Sequence, residues 1–434
     1  MSPEAIGFLA IGILLLLIVL RCPVALAMIL TGAGGFAAIV GWQPAVSLFM
    51  TGPFEVASNY SFTMIPLFLL MGNLAAQTGL SKDLFAAARR LMGGWRGSLA
   101  LASVTASAGF AAVSGSSLAT AATMGRVALP EMKRQGYSNR LASGSLAAGG
   151  TLGIMIPPSI ALLLYALITE QSVGALFLAG VLPGLLAFAL YLLVIVLHLK
   201  LHPEDAGRPE ALQDEPLWPL LWRASPVALL FATVMGGLYG GIFTPTEAAG
   251  AGAMLTLLVA LARGLKRQAF AQALRDTVVT SAALFLIIIG AEIFGFLLSV
   301  SQLSFGMVEL IREWGLAPWQ VLIVILVFYV IFGCFMDSLA MILLTVPIFY
   351  PLILESGFDP VWFGIVAVVT VELGLITPPV GMNLFVIRSV APDIAMQDIM
   401  RGVLPFVGID LLRLAILAAF PAISLWLPKL LGAY

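Results

Sequence analysis

This chain has very little charge. Only 10% of its 434 residues are Asp, Glu, Lys or Arg, against roughly 25% in an ordinary soluble domain, and 61% are hydrophobic. That excludes a water-soluble globule and makes a bilayer the natural surroundings. Cysteine is scarce as well: Cys22 and Cys334 lie in or beside separate apolar segments, which suggests no disulfide framework. The two histidines, His198 and His202, stand where an apolar helix runs out into a polar loop, and they are too few for a metal site. A net charge of -1 with no basic run argues against a nucleic-acid partner. The start, Met1-Ser2-Pro3-Glu4, lacks the basic flank and small-residue cleavage site of a secretory signal, so the first helix is expected to be retained. No soluble catalytic domain is expected at either end.

Apolar stretches of about 20 residues, enough to cross ~30 Å of hydrocarbon, recur from Ile6 to Leu427. Lys and Arg decide their direction, because short cytoplasmic loops carry the excess of positive charge. The segments from Lys82 to Arg96, Lys133 to Arg140, Lys200 to Arg223 and Arg263 to Arg275 are basic. The intervening loops, Trp42 to Ser61, Thr169 to Ser172 and Phe243 to Pro245, carry no Lys or Arg at all. With Arg21, Arg388 and Arg401, seventeen of the 21 Lys and Arg fall on one side; Arg312 and Lys429 fall on the other. Both termini are then expected to be extracytoplasmic.

Between two basic segments, Gly97 to Gly125 runs 29 residues without a charge. As one straight helix it would span roughly 43 Å at 1.5 Å per residue and put basic ends on opposite faces. Folded at Ser114-Gly115-Ser116-Ser117 it becomes a re-entrant hairpin whose legs are too short to cross. Five crossings follow, near 141–168, 175–199, 224–242, 246–262 and 277–300. An odd number inverts the next hairpin, Leu316 to Leu354, folded at Gly333 to Ser338. Each hairpin is followed some forty residues later by a Pro-Pro pair, Pro157-Pro158 and Pro378-Pro379. At an offset of 221, Ser117 falls on Ser338, Gly153 on Gly374, and both prolines on their counterparts. Proline removes a backbone donor and clashes with the preceding turn, so each pair should break a helix at membrane depth, where irregular backbone is tolerated only if buried or lining a wet cavity. The fold class is therefore all-α and polytopic, with about ten full spans and two inverted repeats. Paired interruptions of this kind point to the substrate site of a secondary transporter.

A hairpin tip facing a helix break gathers hydroxyls, free carbonyls and half-helix ends. Hard cations take oxygen ligands, and helix N-termini attract anions. Two pockets, one per repeat, would each suit a sodium ion with an anion between them. The first comprises Ser114, Gly115, Ser116, Ser117, Gly153, Pro157, Pro158 and Ser159; the second, Gly333, Asp337, Ser338, Gly374, Thr377, Pro378, Pro379 and Asn383. The candidate sodium ligands are Ser114, Ser116, Ser117, Gly153, Asp337, Ser338, Gly374 and Thr377. Asp337 is the sharpest of these, since a carboxylate at mid-membrane is expensive and functional by default. Glu372, whose counterpart is Thr151, reads as structural, and Asp410 with Arg413, spaced i,i+3, reads as a scaffold pair. Glu292 and Glu247 carry no assignment.

These motifs resemble the large membrane subunit of the tripartite ATP-independent periplasmic transporters. The resemblance rests on Gly149-Gly150-Thr151-Leu152-Gly153 through Pro157-Pro158-Ser159, Tyr165, the run Ser172 to Gly180 with Pro183-Gly184, and Gly374 to Gly381 with Asn383-Leu384-Phe385. It covers essentially the whole chain. It implies an elevator-type importer of an organic acid anion, such as a dicarboxylate or sialic acid, driven by sodium symport and without another cofactor. It also implies a bacterial cytoplasmic (inner) membrane location, a separate small four-helix subunit, and a periplasmic substrate-binding protein. The expected organisation is scaffold helices (1–78), an interfacial arm helix (79–96), the first repeat (97–200), a cytoplasmic linker (201–223), scaffold helices with a second arm (224–315) and the second repeat with the last span (316–434). The rival within the same chemistry is a stand-alone sodium- or proton-coupled carboxylate carrier. An intramembrane enzyme would need a nucleophile–base pair or a metal cluster at depth, and none is visible.

Overall fold

A computed structural model describes residues 1–207 and 216–434. Residues 208–215 of the expected linker, Arg208 included, lie outside the described residues, as does the side chain of Arg312. Among the described residues the fold is all-helical. The chain opens with α1 (Pro3–Val19), α2 (Val24–Val40), α3 (Trp42–Ser58), α4 (Met64–Gln77) and the short α5 (Leu80–Met92). The first hairpin is α6 (Ser98–Ser114) and α7 (Ser117–Arg134), and the first broken helix is α8 (Asn139–Met155) with α9 (Ile160–Thr169). Next come α10 (Val173–Leu201), α11 (Leu217–Tyr239), α12 (Pro245–Ala262), α13 (Arg267–Ser301) and α14 (Leu303–Glu313). The second hairpin is α15 (Pro318–Gly333) and α16 (Ser338–Glu355), the second broken helix is α17 (Pro360–Ile376) with α18 (Met382–Val390), and α19 (Met396–Ala419) and α20 (Ala422–Leu430) close the chain.

Local chemistry sets most of these boundaries. A hydroxyl or carboxylate placed just before a helix satisfies one of its free N–H groups. Ser138 accepts from Leu141 N, Ser159 from Leu162 N, Ser172 from Ala175 N and Asp359 from Trp362 N. Gly115 turns the first hairpin in the left-handed region at φ 59, which only glycine adopts without cost. Both Pro-Pro bonds are cis.

Contacts between distant residues sort the helix ends into two layers. At one end Lys133 meets Asp393, Arg140 meets Asp398, and Arg263 meets Asp83. At the other end Tyr165 donates to the Pro360 carbonyl, Gln171 to Tyr350, and Tyr434 to Asp359. The outer ends of α6 and α7 belong to the first layer and those of α15 and α16 to the second. The two hairpins therefore enter from opposite sides, with α8–α9, α10, α11, α12 and α13 crossing between them.

Seven spans among the described residues are long and apolar enough to cross, α8–α9 counting as one, with α3–α4, bent by 59°, an eighth. One of the seven is the hairpin leg α16. Most of the remaining expected crossings are shorter, α1, α2 and α17 having 17 residues each. Residues 42–61, expected as a loop, are instead the helix α3 followed by a short turn. Pro44 falls in its first turn, where a missing N–H costs nothing, so the proline marks a beginning rather than a break. The arm segment is helical over Leu80–Met92 and packs Leu80, Phe85, Ala87 and Ala88 inward.

Candidate functional site

The first hairpin tip is closed by short-range hydroxyl chemistry. Ser116 caps α7 by accepting from Ala119 N, and Ser114 Oγ lies 2.7 Å from Thr120 Oγ1. The tip abuts the helix break directly. An added Cβ at Gly153 would lie 2.5 Å from the Ser116 carbonyl oxygen and 2.6 Å from Thr120 Oγ1, so only glycine allows that approach. Ile160 N, at the start of α9, donates to the Gly115 carbonyl at 3.4 Å. Ser159 caps the same helix and is 1% exposed. All the residues expected in the first pocket are thus brought to one place, where α6, α7, α8 and α9 meet.

One residue of the second repeat joins them. Asn383, on α18 and fully buried, donates through Nδ2 to Ser117 Oγ at 2.8 Å and to the Ala147 carbonyl at 3.1 Å. Its Oδ1 lies 3.1 Å from the same hydroxyl. Gly150 leaves room for it, an added Cβ there coming 3.2 Å from Nδ2. The grouping of Asn383 with the second pocket is therefore corrected: α18 starts just after Gly381, at φ 43, and delivers the amide to the first tip across the repeat boundary.

The second tip is built differently. Asp337 caps α16, its Oδ2 accepting from Leu339 N at 3.1 Å. Ser338 is the first residue of that helix and is buried. Here the hairpin and broken helix touch glycine to glycine: an added Cβ at Gly374 would lie 2.6 Å from both C and Cα of Gly333. Thr377 donates to the Leu373 carbonyl at 2.6 Å, within its own helix. Thr345 on one leg donates to Tyr329 OH on the other at 2.7 Å. Among the described residues no three of His, Cys, Asp and Glu are grouped to hold a metal. The oxygens at the tips are hydroxyls and carbonyls, with the Asp337 carboxylate at the second, and hard cations take ligands of this kind.

Behind the two broken helices lies a charged cluster. Arg413 Nη2 donates to Glu372 Oε2 at 3.0 Å, and Arg413 Nε lies 3.2 Å from Asp410 Oδ1. Tyr191 OH donates to Asp410 Oδ2 at 2.6 Å and lies 2.9 Å from Thr151 Oγ1. The i,i+3 pair expected on α19 is present, and Glu372 completes it from α17. Sequence reasoning also passed over Thr120, Ala147 and Tyr191. Thr120 was open to detection, as a hydroxyl one turn past a Ser-rich tip; the other two act across helices distant in sequence.

Two oppositely entering hairpins, each set against a helix broken by Pro-Pro, define an inverted-repeat membrane carrier. The model of the family described as the tripartite ATP-independent periplasmic transporter, DctM component, matches residues 11–423, and the chain belongs to that family. It is 39% identical to a C4-dicarboxylate TRAP transporter large permease protein of Pseudomonas aeruginosa, covering 87% of this chain and 88% of that one. It is 34% identical to a sialic acid TRAP transporter large permease protein of Vibrio cholerae, over 87% and 88%, and 30% identical to an ectoine TRAP transporter large permease protein of Halomonas elongata, over 97% of each. Among solved structures, the YdaH transporter of Alcanivorax borkumensis shares the fold, with a TM-score of 0.53 at 16% identity over 88% of this chain and 89% of that one.

Proposed function

We propose that this chain is the membrane-crossing carrier of a sodium-coupled importer of organic acid anions. The observation behind the reading is the seating of each hairpin tip on its broken helix, which collects buried oxygens and helix ends in one place. One sodium ion is assigned to each tip. Ser114, Ser116, Ser117 and Gly153 serve the first, and Asp337, Ser338, Gly374 and Thr377 the second, with the anion held between them. The segments 97–200 and 316–434 carry the hairpins and slide as a unit against the frame formed by 1–78 and 224–315, with the helix of 79–96 bracing it. The relatives are named for a C4-dicarboxylate, sialic acid and ectoine, compounds that all bear a carboxylate, and a small organic carboxylate is the substrate class assigned here.

Family membership adds a small four-helix membrane subunit, a periplasmic binding protein and the bilayer of the bacterial inner membrane as partners. In proteoliposomes with an inward sodium gradient, uptake is expected only with both protein partners present. Equal uptake in choline and sodium buffers would reject sodium coupling, and robust uptake by this chain alone would favour the stand-alone carrier. Both termini are placed on the periplasmic side. In a background without Cys22 and Cys334, Ser356→Cys should then react with a membrane-impermeant thiol reagent from outside, and Gln135→Cys only from inside.

A further inference from the structure

Thr151 and Glu372 occupy equivalent positions of the two repeats, each two residues before the glycine that seats a hairpin tip. Two residues are about 200° apart around a helix. A side chain at Thr151 or Glu372 therefore leaves its helix on nearly the opposite face from Gly153 or Gly374. Both backs meet one charged cluster. Glu372 and Arg413 are 0% exposed and Asp410 is 1% exposed. The chain of contacts runs from Glu372 (α17) to Arg413 and Asp410 (α19), then to Tyr191 (α10) and Thr151 (α8). Arg413 also lies 6.0 Å from the centre of the Tyr191 ring. Further along α19, Gly402 presses its backbone on α8, an added Cβ at Gly144 coming 2.2 Å from the Gly402 carbonyl oxygen. Helix α19 thus touches both broken helices.

The cluster is not saturated. Glu372 Oε1 and Arg413 Nη1 are buried and make no hydrogen bond. Arginine and a carboxylate can pair through one N–H···O bond or through two. An Arg413–Glu372 pair joined by one bond, with a spare donor and a spare acceptor, therefore has a second arrangement available. Coupling between sites requires an element with two discrete arrangements that both sites bias.

We propose that Arg413 is a positioning residue that couples the two ion sites, holding α17 directly through Glu372 and α8 through Asp410, Tyr191 and Thr151. This rests on the sodium-coupled reading above. An ion drawing the second tip onto Gly374 shifts the back of α17, re-pairs Glu372 with Arg413, and through Asp410 and Tyr191 sets α8 for the ion at the first tip. Coupling of this kind typically makes one ion raise the other's affinity by roughly 5–150-fold.

Two conservative substitutions cut the two arms without leaving a lone buried charge on Arg413. Tyr191→Phe removes one oxygen and severs the link to Thr151, while Glu372→Gln keeps the shape and severs the ionic link to α17. In the complete reconstituted system the wild type should show sodium dependence with a Hill coefficient near two. Each single variant should fold, retain uptake at saturating sodium, and drop to a Hill coefficient near one. The double variant should match the singles, because a chain cut once is already cut. A Hill coefficient near one in the wild type would overturn the proposal. So would an unchanged Hill coefficient in both folded singles, or additive losses in the double variant with cooperativity intact, since these are the marks of a purely structural cluster. Absence of any sodium dependence in the wild type would instead reject the underlying transport reading. Should Glu372→Gln fail to fold, Tyr191→Phe and Thr151→Val cut the α8 arm at its two links, under the same outcomes.

Discussion

The two hairpin tips share a backbone plan and differ in their chemistry. The first is neutral and heavily cross-linked: Ser114 with Thr120, Ser116 with Ala119 N, Ser117 with Asn383, and Ile160 N with the Gly115 carbonyl. The second has a single carboxylate, Asp337, and touches its broken helix through the backbones of Gly333 and Gly374. An inverted repeat thus preserves where the chain turns and where it breaks, because those positions depend on glycine, proline and helix caps. It does not preserve which atoms face the cavity. The first tip, tied to the other repeat through Asn383, is the better fixed of the two. The second, with its charge and few cross-links, is the better suited to open and close around an ion.

The largest expected effect comes from the feature the tips share. Gly374→Ala would force a Cβ to 2.6 Å from the Gly333 backbone, with no flexible side chain to give way. Overpacking of this kind costs roughly 1–3 kcal/mol or more, concentrated on the closed tip, and uptake should fall below detection. Gly153→Ala meets the Ser116 carbonyl oxygen at 2.5 Å as well as a movable Thr120 hydroxyl and should be as severe. Gly34→Ala, with nothing within 4 Å of the new carbon, is the matched control and should transport normally. If Gly374→Ala transported as well as that control, the close seating of the second tip would have no part in the cycle.

The next effect separates the tips. Asp337→Asn replaces a full charge by a dipole, while an asparagine still caps α16 about as well as aspartate. Losing a charge-assisted partner in a buried site costs about 1.5–3 kcal/mol, or roughly a ten- to hundredfold weaker apparent affinity for sodium. Ser117→Ala removes only neutral hydrogen bonds with Asn383, at about 0.5–1.5 kcal/mol, so sodium affinity should weaken roughly two- to tenfold. Sodium titrations of uptake measure both. Equal shifts would erase the distinction between the tips, and a wild-type curve for Asp337→Asn would reduce that residue to a helix cap.

Legibility in the sequence followed the range of the forces. Gly115, the Pro-Pro pairs and the capping serines act within a few residues, so the turns, the breaks and the inverted order of the hairpins could be read from spacing and charge alone. Asn383 reaches Ser117 across 266 residues, and no local signal announces it; the offset of 221 that aligned the repeats pairs Asn383 with Leu162, which does nothing comparable. Glu372 differs visibly from its counterpart Thr151, yet spacing does not announce its partner Arg413, because the pairing depends on how α17 and α19 pack. The helix α3 is hidden for a different reason: Pro44, Gly52 and Pro53 mimic loop punctuation, yet Pro44 sits in the first turn and Gly52 on the buried face of the helix.

The smallest expected effect tests whether the first tip is also anchored from outside. Lys133, at the outer end of α7, pairs with Asp393 at 2.6 Å, tying the first hairpin to the segment between α18 and α19. Its counterpart at the second hairpin is Leu354, which can form no such bond. Asp393 is 70% exposed, so the pair is weak and screened by salt. The hydrogen bond from Lys133 holds the Asp393 carboxyl below the ordinary carboxylate range. Because the folded-state value is depressed, the contribution is present above the unfolded value of about 4 and is lost as pH falls through the folded one. Asp393→Asn should therefore lower the thermal midpoint slightly at neutral pH and low salt, with the difference vanishing in acid and in high salt while uptake is unchanged. A variant that lost uptake at every salt concentration would show that this outer tie belongs to the transport cycle, and the contrast between the tips would then extend to their ends.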